Sequence, residues 1–157
     1  DISLAGEWRY RQGSPMPKAP EMMFFCYKPV CLYNAMIHPL KNLGFRGVLW
    51  YQGESNVDRR HEYAELLTRM IGCWRETFDD SSLPFYIVEL ADFLHKDDVR
   101  GRQSWAEMRL QQAKAVEMNT NTRLIPNSDL GEWNDIHPLD KKTLGKRAAE
   151  ATLKDMK

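Results

Sequence analysis

Four hydrogen-bonding side chains crowd five consecutive positions. They are the carboxamide of Gln52, the carboxylate of Glu54, the hydroxyl of Ser55 and the carboxamide of Asn56, arranged around Gly53. A tight turn needs less polar chemistry than this. A second polar stretch, residues 127–137, ends in Asp135-Ile136-His137-Pro138. A histidine with a carboxylate nearby can act as a general base when its partner fixes the imidazole tautomer. On spacing alone, His137 also suits a surface residue capping a helix, and residues 52–56 also suit a plain turn with polar ends. Gly53-Glu54-Ser55 imitates the first half of a nucleophile elbow, but Val57 stands where that motif has glycine, which ranks Ser55 low as a nucleophile. His38 lies in an apolar stripe and reads as a core histidine, whereas His61 and His95 sit among charges and read as solvated. Neither the four histidines nor the three cysteines have the spacing of a metal site, so no metal or cofactor is expected. Cys26 and Cys31 could pair in an oxidising compartment; buried free thiols are the favoured reading.

The elements that must hold these loops can be read from periodicity. Gly47-Val48-Leu49-Trp50-Tyr51 is an apolar run suited to a buried strand over 46–51. From Val57 a long helix is expected, with Tyr63, Leu66, Leu67, Met70, Ile71 and Trp74 on one face, closed by residues 79–82. Leu83 to Leu90 is aromatic and β-branched and reads as a second strand. Asp92 through Arg102 reads as a charged loop, and Ser104 with Glu107 has the spacing of a capping box opening a helix to about Glu117. Residues 123–126 make a third strand. Pro138 suits the first turn of a last helix with Leu144, Ala148 and Ala151 on its apolar side. Upstream, residues 32–40 place apolar groups on a helical face that Pro39 should kink, and residues 12–20 carry three prolines and read as loop. Ile2 to Tyr10 alternates enough for a strand. The alternation of strand and helix predicts a parallel sheet with helices on both faces, and both polar loops then stand at its carboxyl end, where open α/β folds bind ligands. Three strands are few for such a sheet, so part of it is expected to lie outside this chain.

With 157 residues and 28% charged residues, the composition is that of one ordinary globular domain. Lys plus Arg and Asp plus Glu both number 22, which gives no field favouring nucleic acid or an anionic membrane. No apolar run approaches the roughly 20 residues of a membrane span. The chain opens at Asp1 without a signal-peptide pattern, as a fragment or a processed chain would.

Trp50-Tyr51-Gln52-Gly53-Glu54-Ser55-Asn56, followed downstream by Asp135-Ile136-His137-Pro138-x-x-Lys141-Lys142-x-x-Gly145-x-Arg147, resembles the sialate O-acetylesterase family of SGNH (GDSL-type) carbohydrate esterases. Residues 2–8 and 32–40 are similar to further stretches of that family. The resemblance implies an α/β three-layer sandwich, flavodoxin-like, in which residues 1–31 lead in and residues 32–157 form the C-terminal portion of the esterase domain. It implies a metal-independent serine esterase acting on O-acetylated sugars, periplasmic or secreted in its full-length form. His137 matches the family's general base, Gln52 its side-chain oxyanion donor, and Gly53, Glu54 and Asn56 the loop lining that side. The family nucleophile lies in a Gly-Gln-Ser-Asn-type motif, which this chain lacks. The expectation is therefore an inactive fragment that needs the N-terminal half of the same protein, or that self-associates. The superfamily acid precedes the histidine by three residues, where this chain has Asn134; Asp135, two before, is the nearest carboxylate and the catalytic partner expected for His137, with Asp129 next and a backbone carbonyl the remaining alternative. A non-catalytic glycan-binding or interaction module on the same scaffold is the alternative reading.

Overall fold

The computed structural model describes residues 5–15, 17–18, 22–24 and 27–155. Three strands, β1 (Val48–Trp50), β2 (Phe85–Val88) and β3 (Thr122–Ile125), form a parallel sheet in the order β1-β2-β3. Val48 pairs with Phe85, and Phe85 with Thr122. Three helices surround it: α1 (Tyr63–Thr77), α2 (Val99–Met118) and α3 (Lys141–Asp155). The side chains of β2 alternate between two apolar clusters. Phe85 and Ile87 pack with Tyr63, Leu67 and Ile71 of α1 and with Trp105, Met108 and Ala115 of α2. Tyr86 and Val88 point the other way and meet Ile125, Ala148 and the half-buried Leu144 and Ala151. Helices thus cover both faces, α1 and α2 on one and α3 on the other, which is the expected α/β sandwich.

The stripe expected for α1 faces the sheet, except that Leu66 stays 45% exposed. A 3-10 segment over Glu54–Glu62, rather than an α-helix, leads into it. Two helix starts differ from expectation. Helix α2 begins at Val99 inside the supposed charged loop, because the Asp98 side chain accepts the Gly101 N–H and caps it there. Ser104 therefore lies within the helix, and Glu107, instead of closing a capping box, accepts from Arg60 of the 3-10 segment and from Gln103. Helix α3 begins beyond Pro138: Asp140 accepts both the N–H and the hydroxyl of Thr143 at 2.9 and 2.7 Å.

Residues 32–40 are helical but lie outside the core, with the Tyr33 hydroxyl hydrogen-bonded to that of Thr77 at the end of α1 at 2.9 Å. A π turn over Tyr33–Ile37 runs into a 3-10 turn over His38–Leu40 that contains Pro39, and none of these residues is buried. His38 is accordingly exposed and is not a core histidine. Ala5 to Tyr10 forms no strand, and Ile2 to Leu4 lie outside the described residues, as does Cys26. Cys31 and Cys73 are free thiols, the former half-buried and the latter exposed rather than buried. No helix is long and apolar enough to cross a membrane, and among the described residues no cluster of acidic, histidine or cysteine side chains could hold a metal ion.

Candidate active site

Because the strands are parallel, the loops after β1, β2 and β3 all emerge at one end of the sheet. Gly53 makes the turn after β1. Its φ of +153° disfavours a side chain, and a Cβ there would stand 2.8 Å from Met108 Cε, so glycine lets the loop lie directly on α2. The loop is then held from beneath. Tyr63, at the start of α1, donates to the Gln52 carbonyl at 2.9 Å and reaches the Gln52 side-chain oxygen at 3.3 Å. Burial pushes the Tyr63 phenol up from its ordinary range, which keeps it a donor. Gln112 of α2 is fully buried and donates to the carbonyls of Val88 and Gln52 while accepting the Leu90 N–H at 2.9 Å. One amide thus ties the ends of β1 and β2 together. Within the loop, Gln52 Nε2 donates to Asn56 Oδ1 at 2.8 Å, and the second hydrogen of that amide remains to be given away.

The loop after β3 is anchored to both neighbours. Glu89, at the end of β2, accepts the N–H groups of Asn127 and Ser128, and the buried Asn127 donates to the Tyr51 hydroxyl at 3.1 Å. Lys141 places its ammonium 5.4 Å from the centre of the Tyr51 ring. Gly131 lies so close to Asp92, with φ +130°, that any Cβ would run into the Asp92 carbonyl. Beyond it, an isolated antiparallel bridge pairs Glu132 with Asp135.

Asp135 Oδ1 accepts the His137 N–H at 2.8 Å and lies 3.4 Å from His137 Nδ1, so the carboxylate both shapes the turn and faces one ring nitrogen. Asp129 is engaged elsewhere. It forms a two-pronged ion pair with Arg147, which holds its carboxyl below the usual carboxylate range and which also donates to the Pro126 carbonyl. Of the two carboxylates that could support His137, the structure brings only Asp135 to it.

The two loops share a platform, but no hydrogen bond among the described residues joins His137 to residues 52–56, and the His137 side chain is 87% exposed. Ser55 is exposed on a groove with Glu54, Asp58, Arg60, Asp98 and Arg100, and no histidine lines it. Without a base beside it, Ser55 lacks what a serine nucleophile needs. Sequence reasoning missed Tyr63, Glu89, Gln112 and Asn127. Only Glu89, a carboxylate at the end of an apolar strand, carried a visible signal.

A family profile described as carbohydrate esterase, sialic acid-specific acetylesterase, matches residues 22–154. The chain belongs to that family. Among this chain's relatives, the sialate O-acetylesterases of Mus musculus and Homo sapiens are each 35% identical to it, over 134 and 131 residues, and the matches cover 74% of this chain. They cover 24% and 25% of those proteins, so the chain spans about a quarter of the length of the curated relatives it matches. A crystal structure of a carbohydrate acetylesterase from Xanthomonas citri superposes with a TM-score of 0.70 at 39% identity, covering 76% of this chain and 28% of that one. The sheet and helices of this chain therefore match part of the fold of that carbohydrate acetylesterase.

Proposed function

We propose that this chain contributes the general base and the oxyanion-side loop to an esterase that removes acetyl groups from O-acetylated sugars. The observation that carries this reading is the Asp135–His137 pair. It sits on a loop fastened, through Asn127 and Tyr51, to the strand whose loop presents Gln52. With Nδ1 turned toward Asp135, a neutral His137 keeps its proton on Nδ1, and Nε2 is free to accept one.

The nucleophilic serine comes from a segment of the same protein upstream of this chain. His137 Nε2 takes the serine proton as Oγ attacks the acetyl carbonyl carbon, and the carbonyl electron pair moves onto oxygen. The Gln52 amide and backbone N–H groups donate to that oxyanion. When it collapses, the bond to the sugar oxygen breaks, and the imidazolium returns the proton to the departing sugar hydroxyl. Water, deprotonated by the same His137, then releases acetate from the serine.

His137→Ala in the full-length protein is expected to lower acetate release by at least about 10²–10⁴-fold. The melting temperature should barely move, because so exposed a ring contributes little packing. Turnover near that of the unaltered protein would remove His137 from the mechanism. A joint loss of activity and stability would make it a structural cap.

A further inference from the structure

Trp133 stands on the loop that carries Asp135 and His137, at the tip of the turn closed by the Glu132–Asp135 bridge. Its backbone is fixed: the Trp133 carbonyl accepts the Leu94 N–H at 3.0 Å, and Gly131 is wedged against Asp92 two residues earlier. The ring is steadied too, by the imidazole of His95 set edge-on at 4.9 Å and 74°, while His95 Nδ1 lies 3.3 Å from Asp97. Despite this support, Trp133 remains 58% exposed. Tryptophan is on average a highly buried residue, and this one packs against no core cluster, so the fold gains little from it. A wide apolar surface held rigidly in water costs little entropy when a ligand covers it.

We infer that Trp133 is a stacking platform for the pyranose ring of the acetylated substrate, a claim that rests on the esterase reading above. One face of a pyranose presents a patch of C–H bonds that lies flat on an indole, leaving its hydroxyls to polar neighbours. Asn134, the next residue in the chain, is exposed and carries both a donor and an acceptor. Trp133 and His137 are four residues apart, so their Cα atoms lie within about 14 Å even for an extended chain, and the turn shortens this. A sugar seated on the indole can therefore hold an acetyl group on one of its hydroxyls near the imidazole. Trp133 in this role binds the sugar and takes no part in the proton transfers.

The test compares two esters in the full-length protein, an O-acetylated sialic acid glycoside and ethyl acetate, which has the scissile bond but no ring. Trp133→Ala is expected to raise KM for the sugar ester by about three- to tenfold, the factor an aromatic contact of this kind supplies, with kcat little changed. Ethyl acetate hydrolysis should be unaffected, and Trp133→Phe should restore most of the sugar KM. Titration with the deacetylated sugar should change the indole emission of the unaltered protein and leave Trp133→Ala silent. That binding readout does not depend on which residues do the chemistry, so it separates this inference from the role of His137. An unchanged sugar KM, an unchanged emission on titration, or an equal loss on both esters would overturn it.

Discussion

Asp129 and Asp135 occupy one loop six positions apart, yet their neighbours give them different work. Arg147 grips Asp129 with two nitrogens, and this hydrogen bonding depresses the carboxyl from its ordinary value of 3.8. A depressed folded-state pKa stabilises the fold above the unfolded value, and that contribution is lost as the pH falls through the folded value. Asp129→Asn should therefore melt slightly lower than the unaltered chain near neutral pH, and the two melting curves should converge in acid below the depressed pKa. The pair is exposed, so the difference should be small and should shrink with salt. Asp135→Asn is the opposite case. Asparagine keeps an oxygen for the His137 N–H but removes the charge facing Nδ1, so acetate release by the full-length protein should fall by about 10²-fold at nearly unchanged melting temperature. Equal effects of the two substitutions on turnover would refute this division.

At the scale of elements, α2 does two things that its amino-acid pattern conceals. Its start is set by Asp98, so Asp98→Ala should cost about 1 kcal/mol in urea unfolding while Ser104→Ala, inside the helix, should cost almost nothing. The reverse order would restore the capping box at Ser104. Further along, Gln112 satisfies groups at the ends of two strands. Gln112→Met keeps the volume but orphans the Leu90 N–H and the Val88 carbonyl, at about 1–3 kcal/mol for each group that stays buried, and leaves the Gln52 carbonyl to Tyr63 alone. The Gln52 loop should also loosen, visible as faster amide exchange at residues 52–56 than at α3. Stability unchanged by Gln112→Met would mean that water or a rearranged side chain takes over.

Among the described residues, one edge of the sheet stands beside exposed apolar side chains. Strand β1 is an edge of the sheet, and while Val48 and Trp50 turn toward the α1–α2 core, Leu49 on the opposite face remains 55% exposed. Leu32, Met36 and Leu43, on the segment leading to that strand, are exposed as well. An unpaired strand edge beside apolar side chains invites association with further polypeptide. By itself this 157-residue chain should therefore self-associate in light scattering, and Leu49→Lys should weaken the association without lowering helix content. A monodisperse monomer at high concentration would contradict this.

Much of this architecture is local in origin and so was legible in the sequence. The stripe of α1, the apolar runs of β1 to β3 and the polar loops at their ends follow from periods of 3.6 and 2, which a chain carries in its own spacing. The motifs around Gln52 and His137 were readable as a family resemblance, whereas their spacing alone left a plain turn and a helix cap open. Helix starts were less so, because Asp98 and Ser104 are both competent caps and packing chose between them. The apolar face of residues 32–40 specified a helix but not its burial, since burial needs an opposing surface. The partners of polar groups were hidden altogether. Gln112 looks like any solvated helix residue until folding brings it under Gln52, 60 positions away, and Asn127 meets Tyr51 across 76. Asp135, the nearer carboxylate, ranked ahead of Asp129 on paper, but the partner that engages Asp129, Arg147 on a separate helix, was hidden. A hydrogen bond depends on distances of about 3 Å between groups far apart in the chain, and only the folded backbone sets those distances.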